Sequence, residues 1–69
     1  MNTEAIGTFA GTVWVALSAT DALGVKQLKK ITKLKDKEVF AALGWLAREG
    51  KVTIAADPED EKELLISLV

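Results

Sequence analysis

The period of the hydrophobic pattern changes once in this chain, at Gly50, and that change constrains the fold more than any other feature. Before it, apolar residues recur at three- and four-residue steps; after it they alternate. Val39, Leu43, Leu46 and Ala47 form the inward stripe of a helix predicted over residues 36–49, with Phe40 at its edge. Gly50 supplies the left-handed position that ends such a helix. Residues 51–56 then set Val52 and Ile54 against Thr53 and Ala55, and residues 63–69 alternate through Leu64, Ile66 and Leu68. Between them residues 57–61, with Pro58 inside, have the composition of a hairpin loop.

Two more helices precede this unit. Over residues 3–19, Ile6, Phe9, Ala10, Val13, Ala16 and Leu17 share one face. Asn2 or Thr3 is placed to cap the start, Glu4 suits the positive end of the helix dipole, and Asp21 and Gly24 mark the exit. On the other face Gly7, Gly11 and Ser18 fall nearly in line beside Trp14, a strip almost without side chains. Glycine inside a helix costs about 1 kcal/mol relative to alanine, so close approach of another backbone is expected there. The second helix, residues 25–33, turns Val25, Leu28 and Ile31 inward and Lys26, Lys30 and Lys33 outward. Leu34-Lys35 connects it to the third helix, and a short third strand fits near residues 23–25. Lys35 stands where a Ser or Thr normally caps, so Asp36 is expected to take that role.

The order is therefore three helices and a two-stranded wing, mainly α with a small β-hairpin, in one domain over residues 1–69. With 49% hydrophobic and 28% charged residues and a single proline, the chain has the composition of a folded domain. So short a chain buries only about 60% of the surface its unfolded form exposes, so self-association would help it. It has no Cys and no His, which excludes thiol and imidazole nucleophiles, bases and metal ligands. Glu4, Asp21, Glu38 and Glu49 form no evident pair, Ser18 and Ser67 have no base, and no glycine-rich phosphate loop is present. No enzyme, cofactor, metal or small-molecule substrate is expected. Met1-Asn2-Thr3-Glu4 lacks the positive start of a signal peptide, and the apolar stretch 5–19 is too short to span a bilayer. A cytoplasmic location without a membrane partner follows as the expectation.

Charge is distributed unevenly. The formal net charge is −1, yet residues 26–37 hold Lys26, Lys29, Lys30, Lys33, Lys35 and Lys37 against Asp36 alone. Residues 57–63 hold Asp57, Glu59, Asp60, Glu61 and Glu63 against Lys62.

Two short helices joined by a tight turn, a leucine-rich third helix ending in glycine and a hairpin directly after it form the layout of a winged helix-turn-helix. At finer grain the run Ala42-Leu43-Gly44-Trp45-Leu46-Ala47-Arg48-Glu49-Gly50-Lys51, together with Gly11 and Trp14, resembles a small family of prokaryotic winged helix-turn-helix proteins catalogued as a domain of unknown function. The resemblance covers nearly the whole chain. It implies the fold and brings no activity, substrate or catalytic residue with it.

A helix-turn-helix usually sends its third helix into the major groove, so DNA binding is one reading. Lys26, Lys29, Lys30, Lys33 and Lys37 would then lie on phosphates. The outward face of the third helix, Lys37, Glu38, Ala41, Gly44, Trp45 and Arg48, argues against base recognition, because Arg48 alone is a bidentate reader and stands at the far end. An acidic wing would be repelled by phosphate. Ala41, Gly44 and Trp45 instead resemble an interface patch with an aromatic centre, unless Trp45 folds back on the hairpin. The favoured reading is a non-catalytic module that forms a homodimer or docks a protein partner. Gly7, Gly11 and Trp14 on the first helix and Ala41, Trp45 and Arg48 on the third are its contact residues. Nucleic acid is the second choice.

Overall fold

Each helix begins where a nearby oxygen satisfies an otherwise free backbone N–H. In the computed structural model, which describes residues 1–69, Asn2 caps the first helix, α1 (Thr3–Ser18), its Oδ1 accepting from the Ala5 N–H at 2.8 Å. A two-residue strand, β1 (Leu23–Gly24), leads directly into α2 (Val25–Thr32). There Gln27 reaches back and its Oε1 accepts the Gly24 N–H at 2.9 Å. The third helix, α3 (Asp36–Arg48), repeats the device: the Glu38 Oε1 accepts the Lys35 N–H at 2.8 Å. Asp36 does not cap α3 as expected from its type. Its carboxylate pairs with Lys29 across the turn, and Glu38, one turn in, reaches the free N–H instead.

The helices also end for identifiable reasons. Gly50 follows α3 with φ +72°, as the period change requires. α2 ends within one residue of the expected boundary, but without a glycine: Lys33 itself takes the left-handed conformation, φ 61°, while its N–H bonds to the Lys29 carbonyl at 2.8 Å.

After α3 the chain forms the hairpin of β2 (Val52–Asp57) and β3 (Asp60–Leu68). The sheet is antiparallel with order β1-β3-β2. Leu23 pairs with Ile66, and β2 runs in register from Val52 opposite Leu68 to Ala56 opposite Leu64 before an irregularity shifts Asp57 onto Asp60. The turn is therefore only Pro58-Glu59, shorter than the loop expected over residues 57–61. The Asp57 carboxylate accepts the Glu59 N–H at 2.9 Å and so closes the turn locally.

Every buried side chain is apolar. Ala10, Val13 and Leu17 from α1, Leu28 from α2 and Val39, Ala42, Leu43 and Leu46 from α3 meet Leu23, Val25, Val52 and Ile66 in one cluster. Two expected core positions lie outside it. Ile31 is 56% exposed, because α2 is rotated so that Thr32 faces inward, its Oγ1 donating to the Leu28 carbonyl at 2.6 Å. Ala47 is exposed and Ala42 takes its place, since the buried arc of α3 is centred between Val39 and Leu46.

Candidate functional site

The lysines of α2 come together as their spacing implies. Lys26, Lys29, Lys30 and Lys33 flank a shallow surface with Gln27 and Leu34, and Lys35 and Lys37 continue it, exposed, through the turn into α3. Lys29 is tied to Asp36, the only ion pair in the molecule. The other five lysines of this segment have no acidic partner. The nearby carboxylates of Glu38 and Glu63 accept backbone N–H groups of Lys35 and Lys26 rather than pairing with these side chains.

One neighbour of this surface was missed in the sequence. Glu63, from β3, places Oε2 3.2 Å from the Lys26 N–H, which donates to it. Its carboxylate also lies so near Gly24 that a Cβ there would stand 3.1 Å from Oε2. The positive end of α2 is thus filled by an internal carboxylate, and an external phosphate is held off that end. The contact spans 37 residues, and no local pattern announces it.

The residues assigned to a protein contact divide. Gly7, Gly11, Trp14 and Trp45 line one groove of ≈ 450 Å³ between α1 and α3, with Ala10, Val15, Leu46 and Lys51. Trp45 does not fold onto the hairpin: its ring lies over Gly7, where an added Cβ would stand 3.7 Å from Cζ2 and 3.8 Å from Cη2. Both tryptophans keep much of their surface in solvent, 42% for Trp14 and 38% for Trp45. Around Gly11 there is no atom within 4 Å of an added Cβ, so the close backbone expected at that glycine is not supplied by this chain. Arg48 lies on the far side of Trp45, beside Glu49, and half-buried Ala41 does not reach the groove. Val15 at the groove rim, 63% exposed, was not singled out by periodicity because it lies off the core-facing stripe.

Outward from the core, α3 presents Lys37, Gly44 and Arg48 with Ala41 set deeper and Phe40, 51% exposed, to one side. The face is small and weakly polar. No cluster of three potential metal ligands exists, and no helix is long and apolar enough to cross a membrane.

Three helices, a lysine-rich turn and a wing in this order define a winged helix-turn-helix domain. The sequence matches the winged helix-turn-helix domain family DUF2582 over residues 1–68, and the chain belongs to that family. Protein BT2368 from Bacteroides thetaiotaomicron is similar in structure, with 32% identity, 99% of this chain and 79% of that chain covered, and a TM-score of 0.82. A probable transcriptional regulator from Pseudomonas aeruginosa shares 26% identity over 88% of this chain and 46% of its own, with a TM-score of 0.81. A mutant MarR from E. coli, complexed with operator DNA, has the same fold at 17% identity and a TM-score of 0.79, over 100% of this chain and 46% of that one. The chain thus spans less than half the length of these two regulators. No curated protein matches it.

Proposed function

We propose that this chain is a non-catalytic, cytoplasmic DNA-binding domain that holds the duplex by its phosphate backbone, α2 lying across the backbone and α3 facing the major groove. The observation that carries the reading is the set of five unpaired lysines, Lys26, Lys30, Lys33, Lys35 and Lys37, on α2, the turn and the first turn of α3. The same fold is presented to operator DNA by the E. coli relative. Sequence readout is weak in this reading. Gly44 and Ala41 let α3 approach closely but offer no hydrogen bonds, and Arg48 is the one bidentate donor on the outward face. The wing, with Asp57, Glu59, Asp60 and Glu61 at its tip, stands away from phosphate.

Anisotropy of a labelled random-sequence duplex, titrated at several salt concentrations, tests this. Neutralising five phosphates gives a slope of log K on log salt no steeper than about −4.5, and replacing Lys30 and Lys33 by Ala flattens it by about two. Absence of binding at low salt, or a slope unmoved by the two replacements, overturns the reading.

A second reading rests on the groove between Trp14 and Trp45. Glu4 is the only charged residue in the sixteen of α1, so the solvent side of this helix has almost no charge to keep a partner away. In this reading the groove receives an apolar segment of a protein partner, and Trp45→Ala weakens that association by about 2 kcal/mol while the domain stays folded. Association unchanged by Trp45→Ala and by Trp14→Ala removes it.

A further inference from the structure

The two edges of the sheet are treated differently. β1 is two residues long and gives an approaching strand almost nothing to pair with. β2 is the other edge, six residues long, and from Val52 to Ala56 it carries no charge, no proline and no break in register. Thr53, Ile54, Ala55 and Ala56 are all exposed. Folded proteins normally blunt such an edge with a charge, a proline or a bulge, because its free N–H and C=O groups pair with any available strand. Here the only irregularity comes at the end, between Ala56 and Asp57.

The hydrogen-bond phase shows which groups are free. Val69 donates its N–H to the Lys51 carbonyl at 3.1 Å, continuing the register that sets Thr53 opposite Ser67 and Ala55 opposite Leu65. In an antiparallel ladder these alternate residues bond to the neighbouring strand, and those between them point the other way. Val52, Ile54 and Ala56 therefore turn their N–H and C=O groups outward.

We infer that β2 is a self-complementary edge through which two copies of this chain pair, antiparallel about a two-fold axis at Ile54. In that register Ile54 lies opposite Ile54 of the second copy and Val52 opposite Ala56, so every outward N–H and C=O from Val52 to Ala56 meets a partner. The same register sets Lys51 opposite Asp57 of the second copy at both ends. Neither residue has an ion-pair partner within its own chain. A one-residue slip would aim bonded groups at bonded groups, and a two-residue slip would separate the charges. A second copy fits the edge better than an unrelated strand because the complementarity lies within one segment, Lys51-Val52-Thr53-Ile54-Ala55-Ala56-Asp57.

The test uses the whole chain and its freedom from cysteine. Sedimentation equilibrium over a wide concentration range measures the monomer–dimer constant for the wild type, Lys51→Glu, Asp57→Lys and the doubly reversed variant. Each single reversal sets like charges opposite each other twice per dimer and raises Kd about tenfold; the double reversal returns it to near the wild-type value. In parallel, Thr53→Cys and Ala55→Cys, which face each other across the axis, are mixed and oxidised. The mixture cross-links faster than either variant alone. A chain that stays monomeric throughout overturns the inference. So does a dimer that ignores the charge reversals, or one that is lost on Trp14→Ala or Trp45→Ala while the mixed cysteines fail to cross-link; that result would move the contact to the groove between α1 and α3.

Discussion

Gly11 and Gly44 lie inside α1 and α3, each at a place where an added Cβ would meet no atom within 4 Å. Both have helical backbone on the right-handed side, since the only glycine with positive φ is Gly50. Replacing either by Ala then brings only the gain in helix propensity, about 0.8–1 kcal/mol at each site. They stand on different helices and share no crowded neighbour, so the effects add. The double variant should be more stable by about 1.5–2 kcal/mol, which in a domain of this size raises Tm by roughly 10–14 °C. Thermal and urea unfolding reads the change, and the transitions followed by circular dichroism and by tryptophan fluorescence should coincide for a two-state domain. Gly7→Ala is a graded control, because its Cβ would stand 3.7 Å from the Trp45 ring, in ordinary contact. A loss of stability at Gly11 in dilute solution would refute the reasoning, since it would require a crowded site where the structure has open space. A gain in stability accompanied by loss of DNA binding in Gly44→Ala alone would instead locate the close approach of a ligand on α3.

Other expectations follow from single contacts. Lys33→Gly should stabilise the domain by about 0.5–1 kcal/mol, because it relieves a left-handed backbone at a residue with a Cβ; unchanged denaturation would mean that the αL turn is not strained. Glu38→Ala removes the oxygen that accepts the Lys35 N–H and should cost about 1 kcal/mol by the same measurement, whereas Asp36→Ala should not disturb the start of α3. Leu28→Ala, at a side chain with no exposed surface, should cost 2–5 kcal/mol, and Ile31→Ala, three residues on, within about 0.5 kcal/mol; equal costs would put Ile31 in the core after all.

Much of this molecule is determined by the sequence alone. The change of period at Gly50, the leucine spacing of α3 and the two-faced α2 lead to the winged helix-turn-helix, because helix and strand periodicities are local properties of the chain. Most of the lysine surface was equally legible: Lys26, Lys29 and Lys30 lie on α2, where their grouping depends on nothing but its pitch, and Lys33 joins them from the left-handed residue just past its end. Local chemistry narrowed the start of α1 to Asn2 or Thr3 and set the end of α3 at Gly50 for the same reason; the structure chose Asn2. Where the outcome depends on contacts between distant segments, only the tertiary structure decided. Ile31 and Thr32 are both within the tolerance of an amphipathic pattern, and the packing of α2 on its neighbours selected Thr32. Trp45 could have turned to the hairpin or to α1; Gly7, nearly forty residues away in sequence, left the space that its ring occupies. Glu63 reaches the start of α2 only because β3 lies between β1 and β2, and the same strand order leaves β2 as the open edge. Periodicity gives the direction a residue faces from its own element. What it meets there depends on the other elements, whose placement follows from packing the whole core at once.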